Sequence, residues 1–184
     1  MRLEAERLLL RQPEPGDRDA YAEIWGDPEV VRYLGDGSPV PPHRVPAAID
    51  AMLAHWERYG VGLFSVVRKE DERMIGRTGF LVWDPESWAN GMREDLTGDL
   101  ETEIGWTFGR THWGQGYATE AALACRELAL GELGLSRFVS LIADGNTASV
   151  RVAEKIGETL EREELPGPFP RRVDLYSLGK RPAR

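Results

Sequence analysis

Cysteine is nearly absent from this sequence: there is one, Cys125, in 184 residues. A single thiol excludes an internal disulfide framework and points to a reducing compartment, the cytoplasm. Long apolar runs are missing as well, and no stretch approaches the ~20 residues of a membrane span. The opening segment, residues 1–11, is charged throughout and too poor in apolar residues for a signal peptide. Histidine is scarce, and His43, His55 and His112 have no metal-ligand spacing with Cys125, so no metal is expected. Positive charge is in deficit. With 23 Lys and Arg against 31 Asp and Glu, the net charge is −8, which argues against nucleic acid or an anionic membrane as a partner. The same charge favours a cationic substrate, or simply keeps the protein soluble.

The remaining composition is that of a globular protein. Hydrophobic residues at 41% and charged residues at 29% exclude disorder. The length suits one domain, residues 1–184, with a sizeable core.

Periodicity orders the chain. Leu8–Leu10 with Arg11 reads as a first strand, broken by the stretch from Pro13 to Gly16. From Asp17 to Trp25, Ala20, Tyr21, Ile24 and Trp25 share a helical face, and Gly26–Pro42 is loop-like. A second helix carries Val45, Ile49, Met52, Leu53, Trp56 and Tyr59 and ends at Gly60. Two β runs follow, Leu63–Val67 and Met74–Trp83, then a polar insertion from Asp84 to Asp99. Leu100–Phe108 alternates, with Ile104, Trp106 and Phe108 on one face and Glu101, Glu103, Gly105 and Thr107 on a polar face. A helix from Tyr117 to Glu132 buries Ala121, Cys125 and Leu128. It is followed by the strand Phe138–Ile142, the helix Thr147–Ile156, and the strands Thr159–Leu165 and Val173–Leu178 around the turn 166–168. The order predicts a mixed α/β domain with one central sheet flanked by helices.

The segment Trp113-Gly114-Gln115-Gly116-Tyr117-Ala118-Thr119-Glu120-Ala121 lies between a strand and a helix. Glycines there allow close backbone approach, and the helix start offers unpaired N–H groups to a phosphate. A P-loop would need Gly-Lys-Ser/Thr, which is absent. A dinucleotide fingerprint would need a third glycine where Thr119 stands and an acid ~20 residues onward, where Ser136, Arg137, Phe138 and Val139 stand.

Three spaced motifs carry a likeness. Glu103-Ile104-Gly105-Trp106, the Trp113–Ala121 segment, and Asn146-x-x-Ser149 with Glu154-Lys155-Ile156-Gly157 resemble the GCN5-related N-acetyltransferase (GNAT) superfamily. Within it they look like the RimJ/RimL-like branch that acetylates N-termini of ribosomal proteins, whose first strand Glu6–Arg11 also resembles. The resemblance covers nearly the whole chain. It implies a mostly antiparallel sheet and acetyl-CoA as co-substrate, with the pantetheine arm in a splay between the strands ending at Trp106-Thr107-Phe108 and at Ile142. Backbone groups of Trp106 and Phe108 would bind the arm, amides from Gly114, Gln115, Gly116, Tyr117, Ala118 and Thr119 the pyrophosphate, and Asn146 the arm from the far side.

Acetyl transfer needs a neutral amine, and an amine of pKa ~10 must lose a proton at neutral pH. Glu103 is the first candidate base and Glu101 the alternative. The Trp106 N–H is the expected oxyanion donor. Many superfamily members use a Tyr seven residues after the Asn as acid; here that position is Ala153, and Ser149 is the expected donor to the leaving thiolate. The chain departs from the pattern at Trp113, where Gln or Arg is common, and at Gly157-Glu158, where Gly-Phe is common. Cys125 is read as core.

The acceptor region implied by the resemblance offers Asp27, Glu29, Asp36, Asp95, Asp99, Glu163 and Glu164 with Trp83, Trp88 and Phe169, a set that suits a cationic amine or forms a solvated rim. A protein N-terminus, a polyamine and an aminoglycoside-like drug all fit. The branch often forms homodimers, though no residue here demands one. An active N-acetyltransferase, an acyl-CoA-binding sensor without turnover, and an interaction domain remain the three function classes.

Overall fold

The computed structural model describes residues 1–87, 89–93, 95–166 and 172–179, with only the backbone of Glu164 and Pro166. Eight strands form one sheet: β1 Arg2–Glu4, β2 Leu8–Arg11, β3 Leu63–Arg68, β4 Met74–Trp83, β5 Glu101–Phe108, β6 Phe138–Ala143, β7 Thr159–Pro166 and β8 Arg172–Leu178. Their spatial order is β1-β2-β3-β4-β5-β6-β8-β7. Every neighbouring pair is antiparallel except β5–β6, which is parallel.

Register fixes which side chains share a face. Phe64, Phe80, Ile104 and Phe108 pack against Tyr117, Ala121, Ala122, Cys125 and Leu128 of α4, Tyr117–Leu130. The opposite face carries Leu63 and Leu81 toward α1 (Arg18–Gly26), α2 (Pro28–Val31) and α3 (Val45–Tyr59). Tyr21, Ile24, Trp25, Ile49 and Met52 are buried there, and each such side chain contributes about 1.5–3 kcal/mol by leaving water. Helix α3 starts with Pro46 in its first turn and stops at Gly60, whose φ of 68° suits only glycine without strain. Helix α5 spans Thr147–Lys155.

Several expectations shift. Strand β1 was not read from the sequence: three residues, exposed at both ends, carry no pattern. The segment 26–42 is mostly loop as expected but holds the four-residue α2, which Asp27 caps by accepting the Glu29 N–H at 2.9 Å. Helices α4 and α5 end at Leu130 and Lys155, short of Glu132 and Ile156, and β5 begins at Glu101. The supposedly polar face of β5 is not exposed along its length: Glu103 and Thr107 are buried. Cys125 is fully buried, and burial pushes its thiol up to about 12, so it is a core residue. No helix among the described residues is long and apolar enough to cross a membrane.

Candidate active site

The site begins where the sheet opens. Strand β5 pairs with β4 along its whole length but with β6 only at Glu103↔Val139. A continued parallel ladder would give the Leu141 N–H to the Ile104 carbonyl and the Trp106 N–H to the Leu141 carbonyl. Instead the Ser140 hydroxyl donates to Ile104 O at 2.8 Å, and the Leu141 amide turns to the Glu103 carboxylate. Alternation then directs the N–H and C=O of Trp106 and Phe108 into the gap. The Phe108 carbonyl is partly taken, because the Trp113 indole N–H donates to it at 2.8 Å.

From this gap a groove of about 400 Å³ runs to the start of α4. Trp106, Thr107, Phe108, Trp113, Gly114, Gly116, Tyr117, Ala118, Thr119, Asn146 and Ser149 all line it. Gln115 does not. Its side-chain amide donates back to Thr111 O at 2.9 Å and its carbonyl accepts from Arg7, so it braces the loop rather than facing the groove. Gly114 and Gly116 adopt φ of 74° and 83°, and a Cβ on Gly114 would meet nothing within 4 Å. With glycine as N-cap there is no side chain to cap α4. The first intrahelical bond runs from the Glu120 N–H to Gly116 O, so the amides of 117–119 have no intrahelical acceptor. A diphosphate fits this cradle. Arg7, which the sequence reading passed over, ties it to β2: its Nε and backbone N–H each donate to Glu120 at 2.7 Å, and its guanidinium stacks 4.5 Å from the Tyr117 ring.

The far wall was also only partly foreseen. Asn146 is the N-cap of α5 and accepts the Ser149 N–H at 3.3 Å. Arg151 and Lys155, one helical turn apart on α5, line the groove with Arg32 and Tyr33. Their i,i+4 spacing after the asparagine was a readable signal. The Tyr33 hydroxyl donates to Gly145 O at 3.0 Å, a bridge from the α2 segment to the β6–α5 turn.

On the other side of the gap lies a cavity of about 90 Å³, lined by Arg77, Leu81, Glu103, Gly105 and Ser140 among others. Tyr33, Leu34, Trp106, Thr107, Asn146 and Ser149 line both spaces, so groove and cavity meet at the break in the ladder. Glu103 is 9% exposed and accepts the Trp83 indole N–H. Burial pushes its carboxyl up to about 7, against the opposing pull of Trp83, the Arg77 charge and the Leu141 amide. Glu101, the alternative base, is instead engaged by Arg137 at 3.1 Å and does not line the cavity. Glu158 stands where the family pattern has Phe. It is 2% exposed, burial raises it to about 8, and the protonated carboxyl lies 3.1 Å from the Ser140 hydroxyl oxygen, which accepts from it while donating to Ile104 O. Ala153 is fully buried.

The acidic rim does not form the cavity. Asp27 pairs with Arg110 at 2.9 Å, Glu29 with Arg32 at 3.1 Å and Asp95 with Arg58, while Asp36 accepts the Ser38 N–H. None of these, nor Asp99 or Glu163, lines the cavity, and only Glu29 lines the groove. The Glu164 side chain, Trp88, Phe169 and the turn residues 167–168 lie outside the described residues. Among the described residues no three His, Cys, Asp or Glu side chains cluster to hold a metal ion.

A groove that runs from a helix start to a break in a parallel strand pair, and there meets a buried carboxylate, is the architecture of an acyl-CoA N-acyltransferase fold. The comparisons agree. A family model described as an acetyltransferase (GNAT) domain matches residues 7–159. An uncharacterized N-acetyltransferase, p20, of Bacillus licheniformis is 33% identical over 97% of this chain and 96% of its own length. The crystal structure of an acetyltransferase from Agrobacterium tumefaciens superposes with a TM-score of 0.75 at 30% identity, covering 98% of this chain and 95% of that one. The chain belongs to the GNAT acetyltransferase family. Its fold is shared at 16% identity by RimL, a ribosomal L7/L12 α-N-protein acetyltransferase solved with coenzyme A (TM-score 0.77, 96% of this chain and 97% of that one).

Proposed function

We propose that the protein is an acetyl-CoA-dependent N-acetyltransferase acting on a primary amine. The observation that carries this is the broken β5–β6 ladder, which sets an unpaired backbone edge at Trp106 between an amide-lined groove and a cavity holding a carboxylate near neutral pKa. The groove fits coenzyme A, with the amides of residues 114 and 116–119 at the pyrophosphate and Arg151 and Lys155 flanking it. Bound acetyl-CoA supplies the activated acyl group. The Trp106 N–H is aimed at the place of a carbonyl oxygen in the gap. Glu103 takes a proton from the ammonium of the acceptor, and Ser149 offers a hydroxyl to the departing thiolate, which at pKa ~8.5 needs little help. The single, buried Cys125 suits the reducing cytoplasm.

The likeness of fold to RimL makes a protein N-terminal amine one acceptor and a small amine the other. Burial of Ala153 at the position of the family's tyrosine favours a second reading, an acyl-CoA-binding sensor without turnover. Calorimetric titration with acetyl-CoA followed by free-thiol release with a panel of amines tests all of this. Binding with release is expected, and binding without release for every amine would leave the sensor. Gly116→Glu sets a carboxylate at the pyrophosphate cradle and is expected to weaken acetyl-CoA binding at least tenfold. Unchanged binding would refute the placement of the groove.

A further inference from the structure

The cavity beside Glu103 contains a second charged group that acetyl transfer does not require. Arg77, on β4, lines this cavity but not the coenzyme groove, so it does not serve the phosphates. Among the described residues it makes no ion pair. Asp17, beside Arg77's cross-strand neighbour Ser65, and Glu103 are already engaged. Asp17 receives Arg11 at 2.7 and 2.8 Å, the Ser65 hydroxyl at 2.7 Å and the Glu14 N–H at 2.9 Å. Glu103 is held by Trp83 and the Leu141 amide and touches Arg77 only through its longer-range field. The Tyr21 hydroxyl is bound to Ser65 at 3.0 Å. What supports the guanidinium is the Trp25 ring, whose centroid lies 5.3 Å away. Arg77 is half-buried, and the loss of surrounding water lowers its guanidinium from the ordinary range.

Register places the two charges at opposite ends of one space. Arg77 pairs with Thr107, Glu103 with Leu81, and Gly105 lies between Thr107 and Glu103 on the same face. Four residues of strand and one strand spacing separate the two Cα atoms by roughly 14 Å. A Cβ on Gly105 would meet only Glu103 Oε1, at 3.8 Å, so the ground between them is open. Carboxylate at one end, guanidinium at the other and a glycine floor between them make the complement of a zwitterion.

We propose that Arg77 binds a carboxylate on the acceptor, so that the amine acetylated here sits a few atoms from an acid group, as in an amino acid. The ammonium end faces Glu103 and the groove, and the acid end faces Arg77. A polyamine or an aminoglycoside would set a further cation against the guanidinium and is rejected. The proposal rests on the acetyltransferase reading. A free amino acid and a peptide with an acidic side chain near its N-terminus offer the same chemistry.

The experiment compares thiol release with free amino acids, their amides, the corresponding decarboxylated amines, diamines, and short peptides with acidic or neutral second residues. The wild-type protein is expected to favour carboxylate-bearing acceptors by about 10² in kcat/KM. Free amino acids and acidic peptides separate the two sources. Arg77→Met is expected to remove that preference through KM while acetyl-CoA affinity is unchanged, and Arg77→Lys to restore part of it. Amino-acid titration into the protein, monitored by calorimetry, reads the same site without turnover, with binding lost in Arg77→Met. Equal turnover of decarboxylated amines would overturn the proposal and leave the acetyltransferase reading intact. No thiol release from any amine would sink the acetyltransferase reading; Arg77-dependent amino-acid binding would then still support the anion site, and its absence would refute it. Should Arg77→Met fail to fold, the wild-type acceptor ranking and Arg77→Lys decide the question.

Discussion

Glu103 gives the sharpest test of the chemistry. Its carboxyl is held at about 7 by burial. At pH 7 it is half ionised and at pH 6 about one tenth, so kcat/KM should fall about tenfold per unit below pH 7. A solvent-exposed glutamate near 4.3 would instead give a flat profile between pH 6 and 8. Glu103→Gln keeps an oxygen for the Trp83 indole N–H but removes the base, and the expected loss at pH 7 is about 10² to 10⁴. What survives must wait for amine that is already neutral, about 10⁻³ of the total at pH 7 for a pKa of ~10. The variant's rate should therefore climb tenfold per unit toward pH 10, and its deficit should shrink as pH rises. The assay is thiol release under subsaturating amine across pH 5.5 to 10. A Glu103→Gln profile that keeps an inflection near 7, or a wild-type profile flat from 6 to 8, would show that another group is titrating.

Two further outcomes test the cavity and its surroundings. Gly105 sits in ordinary strand conformation with open space at its Cβ, so Gly105→Ala should fold normally; Gly105→Val should raise the amine KM at least tenfold with acetyl-CoA affinity intact, and an unchanged amine KM would place the acceptor elsewhere. Glu158 is raised to about 8, so the native state holds its proton while the unfolded chain releases it near 4.3. The protein therefore loses stability as pH rises between those values, and Glu158→Gln should melt higher than wild type by a margin that grows from pH 5 to pH 8, to about 3 kcal/mol or roughly 10 °C. Parallel melting curves across that range would refute the buried-proton account.

Local signals in the sequence reached the elements whose periodicity is strong and the loop whose chemistry is written in consecutive residues. The stripe of Ile49, Met52 and Trp56 gave α3, and the glycines at 114 and 116 gave the cradle. Short elements left no trace: β1 has three residues, and α2 has four in a stretch dense in Pro, Gly and Asp. The site was half legible. Glu103 was found by its place on β5, but its burial beside Trp83 of β4 and the Leu141 amide of β6 depends on partners that alternation along one strand does not reveal. The sequence left the rim acids between a cation site and a solvated rim because an Asp or Glu does not announce its partner; Arg110, Arg32 and Arg58 claim three of them. Arg77 carries no local mark at all. Only the register of β3, β4 and β5 shows that it shares a cavity with Glu103.

The Ser140 hydroxyl that caps Ile104 has a further consequence. Two strands that pair like the teeth of a zip need a stop, and here one side-chain oxygen supplies it by occupying the acceptor that the next backbone amide would have used. The depth at which the sheet parts is therefore set by the address of a single serine. Moving that stop by two residues would shift the mouth by about 7 Å, the advance of two strand residues.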